Sequence, residues 1–185
     1  MPWPRLKKGK HRRDLLQEQM VALLPRLRRF ARNLTGDADS ADELVQMACE
    51  RSLQRLHQYR DGTRLDSWLY RIAYTQWIDR TRRRQRRSSH QEAFREVLES
   101  RGEAASSPRR MISFMDVKKA LEQLTRENRA AILLVAVEGY TYSEAAGVLG
   151  VPAGTVASRV ARARKALAVH FHEEQPRLLS IRRET

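Results

Sequence analysis

Two sets of side chains have types and spacings that suit contact with nucleic acid. The first is Tyr70, Tyr74 and Trp77, at i, i+4 and i+7, followed by Arg80, Arg82, Arg83, Arg84, Arg86 and Arg87. Aromatic faces beside a dense cationic cluster can stack unpaired bases and hold the adjoining phosphates. The same spacing also describes a buried helical stripe with solvated arginines beyond it, and the residues alone leave these two readings level. The second set is Thr155, Ser158, Arg159, Arg162 and Lys165, a polar and basic stripe in a segment with no acid from Ala145 to His172. Hydroxyl and guanidinium donors on one helical face suit base edges and phosphates of duplex DNA. A third cluster is acidic. Asp37, Asp39, Asp42, Glu43 and Glu50 fall between Asn33 and Glu50 with no Lys or Arg among them. Acids are favoured near a helix N-terminus by the dipole. In a chain of net charge +14 the block also suits docking to a basic protein, because an acidic face repels DNA.

The second set needs a helix held at a fixed angle, and the flanking residues supply one. Thr141 and Glu144 have capping-box spacing, so a helix starts at Tyr142. Ala145, Ala146 and Leu149 pack closely, Gly150 ends the helix in a left-handed residue, and Pro152 suits the first turn of the next. That helix spans about Ala153 to Phe171. Val156, Val160, Ala163 and Leu167 form its buried stripe, opposite the polar one. A short helix, a glycine turn and a second helix with a basic face is the helix-turn-helix pattern for the major groove. An ordinary helical hairpin is the bland alternative, and the combination of Gly150, Pro152 and the acid-free helix argues against it.

The first set sits on a helix from about Leu65 to Arg84 or beyond, with Leu65, Trp68, Leu69, Ile72 and Ala73 inward. Two helices precede it. One spans Asp14 to Leu34, with a kink expected at Pro25. The other starts near Ser40, where Ser40 and Glu43 suggest a capping box, and ends near His57. Residues 1–13 read as a mobile basic arm. Residues 88–111 read as a linker with one weakly helical patch at 91–98. Helices over Phe114–Leu124 and from Thr125 to Gly139 complete a four-helix unit over 112–172, followed by a charged tail, 173–185. The fold class is all-α: two helical domains, 14–87 and 112–172, joined by a flexible linker.

Composition bounds the alternatives. The 185 residues and pI near 10.9 favour a polyanionic partner. No apolar run approaches the roughly 20 residues of a spanning helix, and the basic N-terminus lacks the apolar core of a secretory signal, so the expected location is cytoplasmic, with no membrane insertion. The one cysteine, Cys49, allows neither an internal disulfide nor a Cys-based zinc site. The acids do not converge as a two-metal nuclease requires, and His170 with His172 lacks a third ligand. No metal, cofactor or enzymatic activity is expected.

At this point the residues resemble a known family. GTVASRVARARKAL, preceded by YSEAAGVLGVP, is similar to region 4 of extracytoplasmic-function (ECF) sigma factors, and LRRFARNLTGD, DELVQ and SWLYRIAYTQWIDRTRRR resemble the three parts of region 2. The resemblance covers about Val21 to Phe171 apart from the linker and has the flavour of the general-stress subgroup. It implies that Asp42, Glu43, Leu44, Val45 and Gln46 bind the β′ clamp of core RNA polymerase, with the β flap as a second contact. It implies that Asp61, Gly62, Thr63 and Arg64, with Tyr70, Arg71, Tyr74 and Gln76, capture the melted −10 element, while Arg80, Arg82, Arg83 and Arg84 meet phosphates. It assigns the −35 duplex to Gly154, Thr155, Ser158, Arg159, Arg162 and Lys165. Asp42-Glu43 inverts the family's usual Glu-Asp order and keeps the charge. Ala73-Tyr74-Thr75 replaces the common Ala-Arg-Asn, with Asp79 in its family place. Promoter DNA and an anti-sigma factor are the further partners implied.

Two other functions fit parts of the pattern. A sigma-like mimic would titrate an anti-sigma factor without touching DNA. Such mimics carry a phosphorylatable receiver domain, for which no room is expected after Phe171. A stand-alone helix-turn-helix repressor would not require DELVQ or the aromatic and arginine segment.

Overall fold

A computed structural model describes the backbone of residues 7–91 and 114–180 and the side chains of 11–86 and 116–171. Among the described residues seven α-helices follow in order: α1 (Lys7–Thr35), α2 (Ala38–Arg55), α3 (Leu65–Gln91), α4 (Phe114–Glu122), α5 (Arg126–Ile132), α6 (Tyr142–Leu149) and α7 (Ala153–Ser180). A 3-10 turn, Leu56–Gln58, extends α2, and a π-helical turn, Leu133–Val137, extends α5. There is no strand among the described residues.

The first three helices bury one another's apolar stripes. Leu27, Phe30, Ala31 and Leu34 of α1 meet Ala41, Leu44 and Ala48 of α2 and Ala73 and Trp77 of α3. Burial of each large side chain is worth about 1.5–3 kcal/mol relative to exposure. A smaller cluster of Leu16, Met20, Leu56, Tyr59, Leu65 and Leu69 closes the other end. In the second unit, Val156, Val160 and Ala163 of α7 are fully buried against α5 and α6, and Leu167 is half-buried, as the stripe predicts.

Several boundaries differ from the sequence reading for physical reasons. Helix α1 begins at Lys7, inside the segment read as an arm, and Arg12 donates to Asp61 at 2.8 Å. Pro25 lies within α1 as one continuous element. Helix α2 is capped by Asp37, whose carboxylate accepts from the Ser40 amide at 2.8 Å, not by Ser40 itself. Gly36, at φ 78°, turns the chain out of α1 and leaves Asp37 extended, so the first acceptor available is three residues early. Helix α3 runs on to Gln91, into the segment read as linker; 92–98 of the expected helical patch lies outside the described residues. Helix α7 continues to Ser180, past the expected end at Phe171.

The two units pack together. One apolar core runs from α1–α3 through Tyr70 and Tyr74 into Tyr140, Val148 and Leu149. Arg129 fastens the join: its guanidinium donates to the Leu34 carbonyl at the end of α1, at 3.0 Å, and to the Glu122 carbonyl at 2.6 Å. Burial pulls its pKa below the ordinary arginine value.

Candidate nucleic-acid interface

The helix-turn-helix is built locally. Thr141 Oγ1 accepts from the Glu144 amide at 3.2 Å, and Glu144 Oε2 accepts from the Thr141 amide at 2.8 Å. Hydrogen bonds donated to the Glu144 carboxylate by the Thr141 amide and hydroxyl, then by Arg64, hold its pKa below the ordinary value. Gly150 takes φ 68° and donates to the Ala146 carbonyl at 2.8 Å, as does the Val151 amide at 3.2 Å. This left-handed stop aims α7 outward. Gly154, Ser158, Arg162 and Lys165 are exposed on α7, and Thr155 is half-exposed. Arg162 lies along its own helix, donating through Nε to the Ser158 carbonyl at 3.2 Å.

Arg159 differs from its neighbours. Its Nη1 is buried without a hydrogen-bond partner among the described residues, and it lines a small cavity with Tyr74, Arg82, Glu127 and Gly150. Burial raises the Tyr74 phenol pKa, and the Arg159 charge works against that rise. The structure thus places one predicted duplex-reading residue against one predicted base-capturing residue.

The aromatic set is core here. Tyr70, Tyr74 and Trp77 are 2%, 8% and 5% exposed, so of the two arrangements the spacing allows they take the buried stripe in this structure. Tyr70 lies edge-on to both Phe30 of α1 and Tyr140 of the second unit, and its hydroxyl is satisfied by Glu138 at 2.7 Å. Arg64 and Arg71 are also engaged across the join. Arg64 donates to Asp66 at 2.7 Å and Glu144 at 2.6 Å and lies over the Tyr140 ring. Arg71 donates to the Gly147 carbonyl at 2.6 Å. Asp61, Gly62 and Thr63 stand exposed in the turn before α3, where Gly62 has φ 85°. The hydrogen bonds from Arg12 lower the Asp61 pKa.

What stays open is a groove of about 1050 Å³ between α2 and α3. Arg80, Arg83 and Arg84 line one wall and Arg51 and Arg55 the other, with Trp68 and Ile72 at its base. Gln76 lines it as well, its amide donating to the Met47 carbonyl at 2.9 Å. Arg82 is exposed on the side of α3 nearer α7. Arg51 and Arg55 escaped the sequence reading. They share an i, i+4 face with Met47, in a basic second half of α2 that follows its acidic first half. In that first half Asp42, Glu43 and Gln46 are exposed, Glu43 pairing with Arg80 and Gln46 donating to Glu50 at 3.0 Å. Leu44 and Val45 are 1% and 6% exposed and pack into the core, anchoring the helix that carries the exposed acids.

A helix-turn-helix with a basic outward stripe, joined to a three-helix unit that offers an acidic ridge and an arginine-walled groove, defines a helical transcription protein of the DNA-binding class. Comparison with known proteins narrows this. The sigma-70 region 4 family matches residues 114–167, and the Sigma2 domain of PhyR matches residues 20–74. The chain is 34% identical over 157 residues to the ECF RNA polymerase sigma factor EcfG of Rhodopseudomonas palustris (strain TIE-1), covering 84% of each. It is 34% identical over 142 residues to SigM of Mycobacterium tuberculosis (strain H37Rv), covering 77% of this chain and 69% of that one. Among solved structures, the sigma factor RpoE of Bartonella quintana, in complex with the anti-sigma factor NepR, matches with TM-score 0.71 and 30% identity over 84% of this chain and 96% of that one. The anti-anti-sigma factor PhyR of the same organism shares the fold at TM-score 0.58 and 20% identity, over 82% of this chain and 49% of that one. The chain belongs to the ECF family of RNA polymerase sigma factors.

Proposed function

We propose that this sigma factor docks on core RNA polymerase through Asp42, Glu43 and Gln46 and directs it to general-stress promoters. Helix α7 reads the −35 duplex through Ser158, Arg159, Arg162 and Lys165, with Gly154 and Thr155 setting the helix N-terminus against the backbone. The α2–α3 groove, walled by Arg51, Arg55, Arg80, Arg83 and Arg84, takes the phosphates of the separated −10 strand, and the turn at Asp61–Arg64 lies at its approach. One observation carries the reading: a firmly capped helix-turn-helix presents an acid-free stripe outward, in a chain related along most of its length to EcfG. A small anti-sigma protein is the natural second partner, as in the RpoE complex. Work with core polymerase would have the protein act in the cytoplasm; no described helix is long and apolar enough to cross a membrane.

The deciding experiment is run-off transcription with purified core polymerase and templates carrying spaced −35 and −10 elements. Transcript that requires this protein and is lost with Asp42→Lys/Glu43→Lys supports the reading. Core association unchanged by that double variant overturns the docking face. The match of residues 20–74 to the PhyR domain favours a second reading, titration of an anti-sigma factor without promoter contact. No transcript under any condition, with tight anti-sigma binding retained, would establish that reading instead.

A further inference from the structure

The turn before α3 is held in place from a distant part of the chain. Tyr59 and Leu65 are buried in one cluster with Leu16 and Met20 of α1, and the residues between them, Arg60 to Arg64, are all exposed. Three hydrogen bonds shape the turn from within. The Thr63 amide and hydroxyl donate to the Arg60 carbonyl at 3.3 Å and 2.7 Å, and the Tyr59 hydroxyl donates to the Thr63 carbonyl. Gly62 takes φ 85°, and nothing lies within 4 Å of where a Cβ would stand, so that side of the turn is open to an approaching strand. A fourth hold comes from Arg12 in the first turns of α1. Its Nη2 and Nε donate to the two oxygens of the Asp61 carboxylate at 2.8 Å and 3.0 Å, and Nη2 also donates to the Tyr59 carbonyl at 3.1 Å.

An ion pair this open to water adds little to folding, since the two side chains are 42% and 73% exposed. Its geometry does two other things. The planar fork fixes the carboxylate and the backbone beside it in one arrangement, which a point cation would not. The guanidinium also offsets a negative charge that would repel phosphates at the approach to the arginine-walled groove. We propose that Arg12 is a positioning residue for −10 recognition, holding the Asp61–Arg64 turn in the shape that meets the separated strand. The proposal rests on the assignment of that turn to the −10 element. It brings into promoter selection a residue that precedes the stretch matched to the Sigma2 domain, residues 20–74.

The test uses the full chain with core polymerase and two pools of barcoded templates, one randomised at the −10 element and the other at the −35 element. Transcript counts give the selectivity at each. Arg12→Gln is expected to flatten −10 selectivity by about two- to tenfold, the factor for ordering one flexible side chain in advance, and to leave −35 selectivity as it is. Asp61→Asn should do the same, and the double variant should be no worse than either, because the two side chains act as one unit. Thr63→Ala, inside the turn, checks the underlying assignment. A −10 profile that shifts with Thr63→Ala and stays put with Arg12→Gln overturns the role of Arg12 and keeps the turn as a reader. A profile that none of the three single variants moves overturns the assignment of the turn, and the role of Arg12 with it. Equal losses at −10 and −35 in Arg12→Gln would reduce Arg12 to a structural contact and overturn the proposal.

Discussion

At the scale of single residues, the arginines divide into those that hold the molecule and those that face outward. Arg129 holds it. Its guanidinium supplies the hydrogen bonds of the Leu34 and Glu122 carbonyls from a buried position, where nothing else among the described residues donates to them through a side chain. Arg129→Met keeps the stem and removes the donors. It should cost about 1–3 kcal/mol, because the buried Leu34 carbonyl is left without a donor, while the carbonyl of exposed Glu122 can turn to water; urea unfolding monitored by circular dichroism would show it as a lower midpoint. Arg162 faces outward and bonds only within its own turn. Arg162→Ala should therefore shift stability by no more than about 0.5 kcal/mol. Its effect should appear in recognition, as a loss of about 1–3 kcal/mol in discrimination between −35 sequences. Thermal melting paired with competition between duplexes separates the two outcomes. Discrimination unchanged in a folded protein would remove Arg162 from the reading face.

At the scale of elements, α6 is the piece whose placement decides where α7 points. Thr141 closes the capping box from both sides, so Thr141→Ala should destabilise the unit by about 1 kcal/mol. Gly150→Ala should cost a similar amount, about 1–2 kcal/mol, because φ 68° strains any residue with a Cβ; the Arg71 Nη2 contact at 4.0 Å adds no clash. The box also fixes an acid response. The Glu144 pKa lies below its ordinary 4.5, so the stability it contributes is complete above about pH 4.5 and is lost as pH falls through the folded value. Melting temperature against pH should show this loss in the native chain and less of it in Thr141→Ala. The capping box, Gly150 and the Val156–Val160–Ala163 stripe were legible in the sequence because each depends on neighbours within one or two turns. The cap of α2 was misread at Ser40 because the reversal at Gly36, not the helix pattern, selects Asp37. The fate of Tyr70 was not legible at all. Its spacing is the same for a stacking face and a core stripe, and the acceptor that settles the matter lies 68 residues away.

At the scale of the whole molecule, three phenols mark the seam between the units. Burial raises the pKa of Tyr70, which also donates to Glu138. Burial raises that of Tyr74 against the opposing charge of Arg159, and pushes that of Tyr140 up to about 12 from 10. A raised folded pKa favours the protonated phenol in the closed form. The stability it contributes is fully present below about pH 10, where an unfolded tyrosine ionises, and is lost as pH rises through the folded values. Closure therefore makes these three of the five tyrosines resist alkali, and alkali in turn should drive the units apart. Titration of tyrosinate absorbance should show a late step for the closed chain, coincident with the fall in energy transfer between dyes on the two units. In Arg26→Gln/Arg29→Gln, which removes the cations paired with Glu138 across the seam, the late step should move toward pH 10, because an opened seam returns the phenols to water. A late step that keeps its place in that variant, while transfer falls, would mean that burial within α1–α3 alone shields the tyrosines and that the second unit does not cover them.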